Sequence, residues 1–189
     1  MSMKGRSATI PAMKKAVKTR GALENALDIL SIVTPLARNC GALCGAACCR
    51  TDEEGRGGML LFPGEEAQYV SLPEGFALNA DDSLVSGGTL LTCKGTCMRH
   101  TRPMACRVFP LMFFINSEGR PDVRLDPRAW PICPLMPSGM EGLRVDFVDA
   151  ARQAAEALCS DPKQKEFIIA QQRAVEQMTA PLWQKEPTP

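Results

Sequence analysis

Four cysteines lie within ten residues of the sequence CGALCGAACCR, which occupies positions 40–50. They are Cys40, Cys44, Cys48 and Cys49, with two glycines between them. Closely spaced thiolates are the ligands that zinc ions and iron–sulfur clusters require, and both kinds of centre are usually closed by four ligands. The segment therefore predicts one half of a soft-metal cage.

Four further cysteines follow in the central part of the chain. They are Cys93, Cys97, Cys106 and Cys133. Eight thiols match two four-ligand sites, which would hold Zn²⁺ or an iron–sulfur cluster such as 4Fe–4S. The adjacent pair Cys48–Cys49 favours two sites, because neighbouring side chains point in different directions. Cys40, Cys44 and Cys48 are spaced by four, so one helical turn or loop is expected to aim them the same way.

Two explanations without metal stay open. One is a disulfide-stapled interaction protein, although nine is an odd number of cysteines for a fully paired framework. The other is burial of the thiols as small apolar groups, which suits Cys159, alone in a predicted helix. No secretory signal follows the basic N-terminus, so we expect a cytoplasmic location, where thiols stay reduced.

Three other side chains with useful chemistry lie near the later cysteines. His100, the only histidine, is a potential ligand. Since the thiols already suffice for two sites, we interpret it as a loop residue. Eight thiolates around two divalent ions leave about four negative charges, which Arg102 and Arg107 would offset as outer-sphere partners. Both arginines are equally explained as exposed, solvated charges.

The cysteine pattern resembles that of the YkgJ-type cysteine cluster family. The resemblance covers residues 38–136 and includes Cys40-x3-Cys44-x3-Cys48-Cys49, Cys93, Cys97-x4-Arg102-Pro103-x2-Cys106-Arg107-x-Phe109-Pro110 and Cys133. The stretches MLLFPGEE at 59–66 and DPRA at 126–129 are similar to those of members from anaerobic bacteria. Two departures are the first spacings, which are three where many members have two, and His100, where members often have a tyrosine.

The resemblance implies a domain that chelates zinc or iron. Some members are labelled Fe–S oxidoreductases, so an iron–sulfur redox enzyme or electron-transfer protein is an alternative, and no catalytic residues are identifiable here. A flagellin lysine methylase carries a similar cysteine block. That activity needs S-adenosylmethionine, and the chain has no Gly-x-Gly-x-Gly loop after a predicted strand. A radical-SAM motif is excluded because three residues, not two, separate Cys44 from Cys48.

The composition is that of a soluble globular chain of 189 residues, 45% hydrophobic and 23% charged. The net charge is +1, so no overall field is expected to attract nucleic acid or a membrane. The best apolar stretch, 23–36, contains two acids and a proline and cannot span a bilayer. We expect no nucleic-acid or membrane partner; a protein partner and the oligomeric state stay open.

Several short elements must position the cysteines. Helical spacing of apolar residues predicts a helix over 22–33, limited by Pro35. The elements expected after it are a strand at 59–62, a helical turn at 65–69 and strands at 76–78 and 89–91. The apolar run 107–115 and the alternating stretch 122–125 flank turn residues and predict a hairpin.

The C-terminal part differs in character. Residues 126–139 contain four prolines and predict an irregular loop. Apolar spacing then predicts a helix over 143–158 and a second one ending near Met178. Asp161 is expected to cap the second helix, with Gln164 completing a capping box.

These elements predict an α+β fold. It would be a small, metal-stabilised, loop-rich cysteine core with short strands, flanked by an N-terminal helix and a C-terminal helical pair. With an aromatic content of 5%, the centre has little apolar surface to bury and needs crosslinks. The expected parts are a basic, frayed N-terminus at 1–20, a cysteine-rich metal-binding domain at 21–140, a helical pair packing on it at 141–181 and a tail at 182–189.

Overall fold

A computed structural model describes residues 20–51, 57–95 and 97–180. The helices are α1 (Ala22–Ile29), α2 (Gly41–Cys44), α3 (Met104–Val108), α4 (Val145–Cys159) and α5 (Pro162–Thr179). The strands are β1 (Met59–Leu60), β2 (Phe76–Asp81), β3 (Gly88–Cys93), β4 (Leu111–Ile115) and β5 (Pro121–Leu125). The predicted tail at 182–189, and all of the predicted N-terminal segment except Arg20, lie outside the described residues.

Two small antiparallel sheets accompany the helices, which confirms the predicted α+β class and the C-terminal helical pair. In the first sheet β3 lies between β1 and β2, with Leu91 opposite both Met59 and Leu78. The second sheet is the predicted hairpin of β4 and β5, with Phe113 opposite Val123. Within the described residues, no helix has the length and apolar character needed to cross a membrane.

The main hydrophobic core touches the cysteine segment at its first residue, Cys40. α4 packs against α1 and β5, and α5 packs against β4. Phe62, which follows β1, brings the three-stranded sheet to this core: its ring centroid lies 5.8 Å from that of Phe113 and 4.8 Å from that of Phe167. Alanines of α4 are buried at this junction, which allows close approach of the neighbouring elements.

Tertiary contacts override three local predictions. α1 ends at Ile29 rather than at residue 33, because the guanidinium of Arg99 donates to carbonyls in the segment that follows. Arg107 was predicted to begin a strand, but it lies in α3. Asp161 accepts the Lys163 N–H as predicted, whereas Gln164 forms no capping box and donates instead to the Pro63 carbonyl, 2.8 Å away.

Candidate metal centre

Cys40, Cys44, Cys48 and Cys133 line one small cavity. Cys40 precedes α2 and Cys44 ends it. Gly45 and Ala46 both have a left-handed φ of 58°, which reverses the chain before the 3₁₀ turn Ala47–Cys49. Cys48 therefore faces the same cavity as Cys40 and Cys44, as their spacing predicts, although the helix itself is broken. Cys133 arrives from the proline-rich loop.

A second small cavity is lined by Cys49, Cys93, Cys97 and Cys106, together with Cys48. Cys93 ends β3, and its Sγ lies 3.8 Å from the Cys49 carbonyl oxygen. Cys106 lies in α3, and Cys97 lies in the loop between them. Four separate elements thus carry this group of thiols to one place.

The pair Cys48–Cys49 stands at the junction of the two cavities. The two sulfur atoms are 3.9 Å apart, and this contact is the main cause that raises the pKa of Cys49. Burial raises the pKa of Cys133, and the neighbouring charges that add to it are those of Cys44 and Cys40. The thiols that raise the pKa of Cys133 thus belong to its own group, whereas the Cys48–Cys49 contact and the effect of Cys49 on Cys40 cross between the groups.

The other group shows the same pattern around Cys106. Burial raises the pKa of this thiol well above its ordinary value, and the thiols that add to the effect are Cys49, Cys93 and Cys97. Thiols that raise one another's pKa lie close enough for their charges to interact. A cation shared among them would remove this repulsion.

Arg102 directly contacts a predicted ligand. Its Nε lies 3.3 Å from Cys97 Sγ. Burial alone would lower the pKa of Arg102, but contact with Cys97 and the charges of nearby thiols outweigh this effect. The net pKa is raised, so the guanidinium stays charged. Arg102 is therefore placed to compensate thiolate charge.

A groove of about 420 Å³ opens onto both groups of cysteines. Its walls carry Cys40, Cys48, Cys49 and Cys97 together with three cationic residues, Arg50, Lys94 and Arg102. No aspartate or glutamate is among the described residues that line it. The solvent side of the thiols therefore carries positive charge that would compensate thiolate charge once a metal is bound.

Arg107, the other predicted outer-sphere residue, donates hydrogen bonds to three carbonyls and to no thiol in the described residues. Its side chain is buried and lies 2.9 Å from the carbonyl oxygens of Leu27, His100 and Arg102. It thereby ties α1 to the loop that carries Cys97 and to the start of α3. Arg107 shapes the backbone around the cysteines rather than their charge.

The two remaining candidates lie apart from both cavities. His100 is exposed, lies in the 3₁₀ turn Arg99–Thr101 rather than in a loop, and is not among the described residues that line the two cavities. Cys159 packs against the main hydrophobic core at the end of α4. Burial raises the pKa of its thiol, as expected for an inert core cysteine.

Glu65 is a supporting residue that the sequence analysis missed. Its fully buried carboxylate accepts hydrogen bonds from the backbone N–H groups of Phe62, at 3.0 Å, and Met104, at 2.6 Å. The second bond caps α3, which carries Cys106. Burial raises the pKa of Glu65 to about 7. The sequence offers no signal for this contact, because the partners are 39 residues apart.

We predict that Glu65 makes stability depend on pH. Because its folded pKa lies above the ordinary value of 4.5, the folded state holds the proton more tightly. The unfolding free energy of the unmodified protein minus that of Glu65→Gln should therefore fall as the pH rises from about 4.5 to about 7. The fall is at most about 1.4 kcal/mol per pH unit, and the difference should be constant above about pH 7. Denaturant titrations of both proteins at several pH values measure this difference; a flat difference would show that folding leaves the pKa of Glu65 at its ordinary value.

The donor set suits a soft metal. Neither cysteine-lined cavity has a carboxylate among its described lining residues, and thiolates select zinc or iron over magnesium or calcium. As they lie, the side chains do not close a cage: within 20–51, 57–95 and 97–180, no group of three or more histidine, cysteine, aspartate or glutamate residues is arranged to hold a metal ion. The thiols fit by chemistry and by the cavities that they share, and ligation requires them to turn inward.

Comparisons with protein-family models, with curated proteins and with solved structures found no match. The similarity to the YkgJ-type pattern therefore stays a prediction from the cysteine spacing. What bears on function is the placement of eight thiols from distant segments around two adjoining cavities.

Proposed function

We propose that the protein is a metal-chelating protein that binds zinc or an iron–sulfur cluster through Cys40, Cys44, Cys48, Cys49, Cys93, Cys97, Cys106 and Cys133. The observation that carries this proposal is that all eight line one or other of two adjoining cavities. Cys159, the ninth, lines neither cavity and packs only against the hydrophobic core, which Cys40 and Cys133 also touch. A chain that merely buried cysteines as apolar groups would have no reason to segregate them in this way.

Packing supports the same conclusion. The cysteine segment from α2 to the 3₁₀ turn at 47–49 contains no buried residue. A segment without a hydrophobic anchor needs another source of order, and a structural metal supplies folding energy directly. Since thiolate ligands require a reducing environment, we further propose that the protein acts in the cytoplasm.

Elemental analysis and a UV–visible spectrum of protein purified without oxygen test the proposal. Zinc without colour identifies a zinc-chelating module. Iron with acid-labile sulfide and absorbance near about 400 nm identifies an iron–sulfur protein. A chain that holds neither metal, with thiols that react only after reduction, would overturn the proposal in favour of disulfides.

Arg102→Gln is expected to weaken metal retention without unfolding the protein. The substitution removes the positive charge that lies against Cys97 Sγ. Loss of an outer-sphere partner typically lowers metal affinity about 10–100-fold. Competition with a chromophoric chelator measures the change.

The matched control is Arg120→Gln, which removes the same charge at an exposed position between β4 and β5, where Arg120 pairs with Glu118. This variant should retain metal like the unmodified protein. An equal loss of metal affinity in both variants would show that metal retention depends on the net charge of the protein and not on the contact with Cys97.

A further inference from the structure

We infer that the eight cysteines form two separate four-thiolate centres and that the peptide bond between Cys48 and Cys49 is the boundary between them. This inference rests on the proposed function and assigns each thiol to one centre. The first centre takes Cys40, Cys44, Cys48 and Cys133. The second takes Cys49, Cys93, Cys97 and Cys106.

Six of the assignments follow from the cavities alone. Cys40, Cys44 and Cys133 line the first cavity and are absent from the described lining of the second. Cys93, Cys97 and Cys106 line the second cavity and are absent from the described lining of the first. Neither small cavity has members of both trios among its described lining residues, although Cys40 and Cys97 both reach the wider groove.

The number of thiols that line each cavity assigns Cys48 and Cys49 to their centres. Cys49 lines only the second of these cavities, and it completes a set of four there. Cys48 lines both, but only the first cavity still lacks a fourth thiol. The two sulfurs lie 3.9 Å apart, so the two centres would lie side by side at this pair.

The left-handed pair Gly45–Ala46 makes this division possible. In a continuous helix from Cys40, residue 48 would lie close to the face that carries residues 40 and 44. Residue 49 would lie about 100° further round the helix. The observed reversal at φ 58° for both residues instead places the 3₁₀ turn between the cavities. Ala46 is the only residue other than glycine with positive φ in the described part of the chain, which marks the conformation as a specific requirement of this turn.

Paired substitutions by serine test the division. Two substitutions in one centre leave the other centre intact, whereas one in each leaves both with three thiols. The measured quantity is the metal that stays bound after incubation with a fixed concentration of chelator, divided by the amount that stays bound to the unmodified protein. This ratio can be measured for zinc and for iron alike. The helical content of α4 and α5 by circular dichroism confirms that each variant remains folded outside the centres.

Cys40→Ser with Cys133→Ser should retain about half of the resistant metal, as should Cys93→Ser with Cys106→Ser. Cys40→Ser with Cys106→Ser should retain almost none. For the vicinal pair, Cys48→Ser should leave half when combined with Cys133→Ser and almost none when combined with Cys106→Ser. Cys159→Ser is the matched control and should retain all of it.

Other outcomes separate this inference from the proposed function. Half retention in the mixed pair, or complete loss in either same-centre pair, would overturn the division while leaving metal chelation in place. An unmodified protein that contains no metal would instead contradict the proposed function itself. If Cys48→Ser left half of the metal when combined with Cys106→Ser and almost none when combined with Cys133→Ser, Cys48 would belong to the second centre and the proposed boundary would be wrong.

Discussion

Removing the metal from the reduced protein is expected to unfold the cysteine segment while the helical core stays folded. The segment at 40–50 has no buried residue in either of its short helical turns, so the proposed metal ligation is expected to supply much of its order. The core elements α1, α4 and α5 share a continuous apolar cluster with the β4–β5 hairpin, and of the eight proposed ligands only Cys40 and Cys133 pack against it. A structural zinc site contributes about 10 kcal/mol or more to the folding of a small domain.

Hydrogen exchange measured with and without chelator resolves the two regions. The N–H groups of Ala46 and Cys49, which bond to Gly41 and Ala46 carbonyls, should exchange about 100-fold faster or more once the metal is removed. Amides within α4 and α5 are the internal control and should change little. Equal protection of the cysteine segment in both conditions would mean that metal does not order it.

Arg107→Leu is expected to lower the unfolding free energy by about 3–5 kcal/mol, the largest effect of any single substitution considered. The guanidinium is buried and holds three carbonyl oxygens at 2.9 Å. Leucine fills part of the space but leaves without a donor the buried carbonyl of Leu27 and the partly buried carbonyls of His100 and Arg102, and an unsatisfied buried group costs about 1–3 kcal/mol. The summed cost of these carbonyls exceeds the free energy gained by burying the leucine side chain, which is about 1.5–3 kcal/mol.

Denaturant unfolding of the metal-loaded protein measures this effect, with Arg120→Leu as the exposed control. The control should change stability by less than about 0.5 kcal/mol. A similar small change in Arg107→Leu would mean that water or other donors satisfy the three carbonyls. Because Arg107 contacts no thiol in the described residues, the metal in folded Arg107→Leu should still be coordinated by sulfur alone.

Local patterns predicted much of the architecture because they arise from local physics. The apolar run and the alternating stretch on either side of the turn at 116–119 form the hairpin, and Asp161 caps α5, since turn and cap chemistry is contained within a few residues. The spacing of Cys40, Cys44 and Cys48 also anticipated a common direction. Their shared cavity results from the reversal at Gly45–Ala46, which no periodicity indicates.

Contacts between distant segments explain what could not be predicted. The α3 cap depends on Glu65, which is distant in sequence, and α1 ends early because Arg99 binds carbonyls from across the molecule. The partners of Cys49 are equally remote, since Cys93 reaches it through the register of β2 and β3. Cysteine spacing alone therefore identified eight candidate ligands, but only the fold separates them into two groups.

X-ray absorption at the metal edge, on protein purified without oxygen, tests the central claim most directly. Metal ligation by the eight cysteines predicts a first shell of sulfur only, with zinc–sulfur distances near about 2.3 Å, or iron surrounded by sulfur with a further iron shell for a cluster. A shell containing nitrogen or oxygen, or the absence of bound metal, would contradict the account.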